Sequence, residues 1–100
     1  MTIRAVVRGV GHYLPDRIVE NAEFEARLET SDEWIRSRSG IERRHFAAEG
    51  QTTSQLAIAA AQAALRDVGL EAGALDAVIV ATSTPDLTFP SVATMVQAGI

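Results

Sequence analysis

The chain of 100 residues contains no cysteine, so a disulfide, a thiolate metal site and a cysteine nucleophile are all excluded within it. It contains no lysine: all nine basic residues are arginine. No apolar run approaches the length needed to span a membrane. The N-terminus alternates Arg4 and Arg8 with apolar residues and lacks the sustained hydrophobic stretch of a signal peptide. A soluble, cytoplasmic protein with no membrane partner is therefore expected. The net charge of −4 argues against nucleic acid as the main partner. The two histidines, His12 and His45, lie far apart without a Cys, Asp or Glu at ligand spacing, so no metal is expected. Neither sits in a Ser–His–Asp or Cys–His context, and both read as structural or surface residues.

What is present indicates an ordered domain. The apolar fraction of 47% is ordinary for a globular chain. There is no repeat, no low-complexity segment and no linker, so residues 1–100 read as one small domain or part of a larger one. Residues 3–10 read as a Val-rich strand in which Gly9 and Gly11 let the backbone bend or pack closely. Gly9-Val10-Gly11 does not begin a dinucleotide loop, because Leu14 occupies the third glycine position and Pro15 stands where a helix should run. A helix over 22–28 is predicted, capped by Asn21, with Phe24 and Leu28 inward. Residues 41–48 read as a half-exposed strand. Thr52 with Gln55 forms a capping box for a helix that runs to Val68 and ends at Gly69. Its wide, mostly alanine arc marks a deeply buried helix that other backbones can approach closely. After a short turn over 71–75, the unbroken apolar run Ala77-Val78-Ile79-Val80-Ala81 reads as a strand buried on both faces, which points to a parallel sheet between helices. Thr82 to Asp86 then lie at its C-terminal end, where ligands collect in α/β sheets. A last helix covers 92–98, with Pro90 near its start.

The most informative stretch is Thr30-Ser31-Asp32-Glu33-Trp34-Ile35-Arg36-Ser37-Arg38-Ser39-Gly40-Ile41. Thr30 and Glu33 fit a capping box. Asp32 and Glu33 suit the positive end of the helix dipole better than acid–base work, and Arg36 and Arg38 suit the other end. Gly40 stands where a left-handed residue ends the helix. Thr30, Trp34 and Arg38 fall at i, i+4 and i+8 and share a face. Such a face can stack a base on the indole and pair a phosphate with the guanidinium. The same spacing also fits a tryptophan anchored in the core with a helix-end cation beside it. Arg36, Arg38, Arg43 and Arg44 fall within nine residues, a local basic patch that suits an anionic ligand or a solvated face of ion pairs.

The run TSDEWIRSRSGIERR, with GVGHYLP before it and ATSTPDLTFPS after it, resembles the N-terminal part of a beta-ketoacyl-acyl-carrier-protein synthase III. The motifs occur in order over nearly all of the chain, which matches the family's first third. The resemblance implies an α/β, thiolase-like fold with a mixed, mainly parallel sheet layered with helices. It implies an acyltransferase that begins type II fatty acid synthesis by condensing an acyl-CoA, typically acetyl-CoA, with malonyl-acyl-carrier protein. No tightly bound cofactor is implied; acyl-CoA is a substrate, and the enzyme is a homodimer. By matched position, Thr30, Trp34 and Arg38 contact coenzyme A, and Phe89 reaches across the dimer to line the neighbour's acyl pocket. The family's catalytic Cys, His and Asn have no position in this chain, which alone is expected to be inactive. The alternatives are a thiolase-fold starter enzyme of polyketide or secondary metabolism, and a non-catalytic coenzyme A- or partner-binding fragment.

Overall fold

The computed structural model describes residues 2–100. In chain order the elements are β1 (Arg17–Glu20), α1 (Asn21–Glu25), α2 (Asp32–Ser39), β2 (Arg43–Phe46), α3 (Thr53–Val68), a 3-10 turn at Ala72–Ala74, and α4 (Val92–Gly99). Contacts group them into two compact units. Leu14–Gly50 forms a hairpin unit; the segment before it, with Gln51–Ile100, forms a helical unit.

In the hairpin unit β1 and β2 pair antiparallel, with Arg17 opposite Phe46, Ile18 opposite His45, Val19 opposite Arg44 and Glu20 opposite Arg43. Alternation buries Val19 completely, at 0% exposure, and turns Ile18 to solvent. The last pair sets opposite charges face to face, a modest cross-strand stabilisation. Apolar residues are few here, and cations lie over the half-buried rings. The Phe24 and Phe46 ring centres are 6.1 Å apart. Arg44 lies 4.6 Å and Arg27 5.0 Å from the centre of Phe24. β1 was not expected, since Arg-Ile-Val-Glu offers only two apolar residues. The expected strand over 41–48 contracts to its four paired residues, Arg43–Phe46.

Three local expectations need correction in this unit. Asn21 does not cap α1: Glu20 is the cap residue, without a side-chain bond, and Asn21 is the first helical residue. The helix stops at Glu25, so Leu28 lies beyond it and is exposed rather than inward. Thr30 does not cap α2; Ser31, one residue later, has the extended backbone a cap requires (φ −141°, ψ 155°) and accepts from the Trp34 N–H.

In the helical unit the reading of α3 holds at both ends. Thr52 and Gln55 form the reciprocal capping box, and Gly69 closes the helix with φ 70°. The alanine surface does admit close backbone approach. A β-carbon at Gly11 would overlap the backbone nitrogen of Ala64 and lie 2.7 Å from the Ala60 carbonyl oxygen. Gly9 meets the Ala64 carbonyl in the same way, at 2.9 Å. α4 begins at Ser91, whose side chain accepts from the Thr94 N–H, and buries Val92 and Val96 at i and i+4.

The strand expectations fail here. Neither 3–10 nor 77–81 enters a ladder; the only sheet among the described residues is the antiparallel pair β1–β2. Ile79 is 91% exposed, and Ile3, Val6, Val7 and Val10 are exposed too. α3, expected to be deeply buried, is mostly half-buried, with only Ser54 fully covered. Strand propensity describes a residue's fit to a sheet, but a ladder also needs a neighbouring strand. Among the described residues no helix is long and apolar enough to cross a membrane.

Candidate functional site

The site centres on α2. Its ends are fixed by its own residues. Ser31 Oγ accepts from the Trp34 N–H at 3.1 Å. At the other end Gly40 takes a left-handed φ of 73° and its N–H donates to the Arg36 carbonyl at 2.8 Å. Arg36 Nε donates to Asp32 Oδ2 at 2.8 Å, an i,i+4 pair along the helix. None of the helix's residues is fully buried.

Trp34 is 56% exposed in this chain. The Arg38 guanidinium carbon lies 5.8 Å from the centre of its ring. Thr30, no longer a cap, joins Glu29, Ser31 and Trp34 in lining an open pocket of ≈ 330 Å³. So Trp34 and Arg38 stand together, and Thr30 shares the indole's pocket. Among the described residues Arg38 makes no ion pair, whereas Arg36 is neutralised by Asp32. The arrangement offers a wet aromatic face with an unneutralised guanidinium, suited chemically to a planar ring bearing anionic groups.

The start of α2 is tied to the hairpin by a residue that sequence reasoning placed wrongly. Asn21 is 1% exposed. Its Nδ2 donates to Asp32 Oδ1 and to the Ile41 carbonyl, both at 2.8 Å. Its Oδ1 accepts from Arg44 Nη2 at 2.7 Å. The Glu25 carboxylate adds a second tie, accepting from the Asp32 N–H at 2.5 Å. The Asn21 amide, with the Arg36 guanidinium assisting, holds the Asp32 carboxyl below its ordinary pKa. His45 is structural here: its Nδ1 donates to the Pro15 carbonyl at 2.6 Å.

Phe89 lies in the helical unit, 88% exposed. The segment carrying it is anchored on both sides. Upstream, Asp86 bonds the first turn of α3, accepting from the Ser54 N–H at 2.8 Å and the Ser54 hydroxyl at 2.5 Å. The Thr53 hydroxyl donates to the Thr84 carbonyl at 2.6 Å. Downstream, Ser91 caps α4. The bonds from Ser54 hold the Asp86 carboxyl below its ordinary pKa. Thr84 and Asp86 therefore bond the first turn of α3, and residues 77–81 before them form no laddered strand. Ser54 and Asp86 are separated by 32 residues, and no local pattern connects them.

No family model matches the chain. The structure is similar to that of the beta-ketoacyl-[acyl carrier protein] synthase III of Thermus thermophilus, with a TM-score of 0.86 and 49% identity, over 94% of this chain and 29% of that one. It is similar also to the priming beta-ketosynthase of the R1128 polyketide pathway, with a TM-score of 0.86 and 33% identity, over 92% of this chain and 28% of that one. These neighbours define the class as thiolase-like α/β. In sequence the chain is 80% identical over all 100 residues to the beta-ketoacyl-[acyl-carrier-protein] synthase III of Rhodobacter capsulatus, covering 31% of it. The chain matches the N-terminal portion of beta-ketoacyl-[acyl-carrier-protein] synthases III and spans under a third of the length of the curated relatives it matches.

Proposed function

We propose that the protein carrying this sequence starts type II fatty acid synthesis by condensing an acyl-CoA, typically acetyl-CoA, with malonyl-acyl-carrier protein. In that reading a cysteine thiolate outside this chain takes the acyl group and releases coenzyme A. Loss of carbon dioxide from the malonyl group supplies the carbanion that attacks the new thioester, with His and Asn stabilising the developing oxyanion. The protein is a cytoplasmic homodimer with no tightly bound cofactor. The present residues contribute part of the coenzyme A entrance, with Trp34 stacking the adenine, Arg38 near the phosphates and Thr30 beside them. Phe89 contributes to the dimer surface and the partner's acyl pocket.

The observation that carries the ligand part is the exposed indole of Trp34 with the Arg38 guanidinium 5.8 Å from its ring centre. Calorimetry of coenzyme A with the full-length protein tests the reading. The Trp34→Ala change is expected to weaken binding on the order of tenfold or more, the scale of a lost stacking contact. Equal affinity for the two proteins overturns the role of Trp34.

The likeness to the R1128 priming ketosynthase favours one second reading, a starter enzyme of polyketide synthesis. The two differ in the product chain, so acyl-CoA preference and the identity of the carrier protein accepted in vitro separate them.

A further inference from the structure

We infer that Asn21 is the positioning residue of the coenzyme A face: one buried side-chain amide holds both ends of α2 and so sets where Trp34 and Arg38 stand. The inference rests on the ligand reading of those two residues.

The eight-residue α2 is too short to be stable alone and has no fully buried residue, so apolar packing contributes little to its placement. Its pose must come from polar ties at its ends. Asn21 supplies one at each. The two hydrogens of Nδ2 go to Asp32, the first residue of α2, and to the carbonyl of Ile41, the residue after its Gly40 stop. The remaining acceptor is filled by Arg44 of β2. Both donors of the amide are used. The Asn21 backbone N–H adds a bond to the Glu42 carbonyl at 3.2 Å, so the residue is fixed on the hairpin before it reaches α2. Glu25 also ties Asp32, but only at the N-terminal end. Asn21 alone among these contacts joins the two ends through one nitrogen. Aspartate has the same shape but no donor, and would set a second carboxylate against Asp32. Alanine removes all three bonds.

The test uses the full-length protein, with the variants Asn21→Ala, Asn21→Asp and Trp34→Ala and the double variant Asn21→Ala/Trp34→Ala. Steady-state kinetics and coenzyme A calorimetry are the readouts. Each Asn21 change is expected to raise KM for acyl-CoA on the order of tenfold, as small misplacements of binding groups do. It should leave kcat and the KM for malonyl-acyl-carrier protein within about twofold. In the Trp34→Ala background, Asn21→Ala should add no further loss of coenzyme A affinity, because the face it positions is already gone. A fall in kcat or in folded fraction with KM for acyl-CoA unchanged would mark Asn21 as a fold residue only and overturn the inference. If Asn21→Ala does not fold, the isosteric Asn21→Asp supplies the same comparison. Weaker binding by Trp34→Ala with parental affinity in the Asn21 variants would sink the positioning role and leave the ligand reading standing. Parental affinity in Trp34→Ala would remove the ligand reading, and the positioning role with it.

Discussion

In the hairpin unit each strand residue has a cross-strand partner, and the one fully buried polar side chain, Asn21, satisfies its amide with three hydrogen bonds. In the helical unit the two segments richest in Val and Ile, 3–10 and 77–81, pair with no strand among the described residues, and most of their side chains are exposed, Val78 and Val80 being half-buried. The unit with the stronger apolar signal is thus the less completed one. Backbone pairing and polar ties can close over a short span, because they need only one partner each. An apolar strand needs a neighbour on each edge and a layer on each face, so its demands extend further along the chain. Expressed alone, the 100 residues are expected to self-associate through these segments.

The contrast predicts unequal costs for truncating similar side chains. In the 100-residue chain at low concentration, Val19→Ala should lower stability by about 2 kcal/mol, the loss expected for a fully buried Val. Ile79→Ala, at a residue 91% exposed, should stay within about 0.5 kcal/mol. Urea unfolding of both variants measures the difference. Equal losses would mean that 77–81 is packed in solution, and the contrast between the units would collapse. The comparison sharpens in the full-length protein, where a covered strand would raise the cost of Ile79→Ala to about 2–5 kcal/mol.

What the sequence revealed and what it hid divide along the same line. The capping box of Thr52 and Gln55, the stops at Gly40 and Gly69 and the close approach at Gly11 were all legible, because each is decided by a few neighbouring residues. The Trp34–Arg38 pairing was legible too, since helical spacing fixes it. The cap of α2 was misplaced by one residue because Thr30 and Ser31 are adjacent hydroxyl residues, and only backbone geometry chooses between them. Asn21 was mistaken for a cap for a related reason: its chemistry suits one, but its partners Asp32, Ile41 and Arg44 lie 11 to 23 residues away. The Ser54–Asp86 contact spans more still. The strands 3–10 and 77–81 were read from composition, which states what a segment can do and not whether a partner is there.

The glycines extend the comparison at a smaller scale. Gly11 is required by contact: its β-carbon would run into the backbone of α3. Gly11→Ala should cost about 1–3 kcal/mol, as overpacking does, and a larger residue more. Gly40 is required by conformation alone, with φ 73° and nothing within 4 Å of a β-carbon. Gly40→Ala should cost about 1 kcal/mol, and Gly40→Asn less, since Asn tolerates the left-handed region. A Gly40→Asn variant as damaged as Gly11→Ala would show that contact, not φ, governs both sites.

The smallest effect is the response to acid, where the two units should behave alike for different reasons. Asp32 is held below its ordinary value of 3.8 by the Asn21 amide first and then by Arg36. Asp86 is held below 3.8 by the side chain of Ser54 first and then by its backbone N–H. A carboxyl whose folded pKa is depressed adds stability that is fully present above the unfolded value and disappears as pH falls through the folded one. Both units should therefore keep these contributions at neutral pH and lose them as pH drops below about 4. Both carboxylates are solvent-screened, so the changes should be slight beside those of the core and glycine variants. NMR titration of the side-chain carboxyls separates the units. Asn21→Ala should return Asp32 toward 3.8 and leave Asp86 alone, and Ser54→Ala should do the reverse. If Asp32 in the parent protein titrates at or above 3.8, the Asn21 hydrogen bond does not hold in solution, and the hairpin unit loses the tie that distinguishes it.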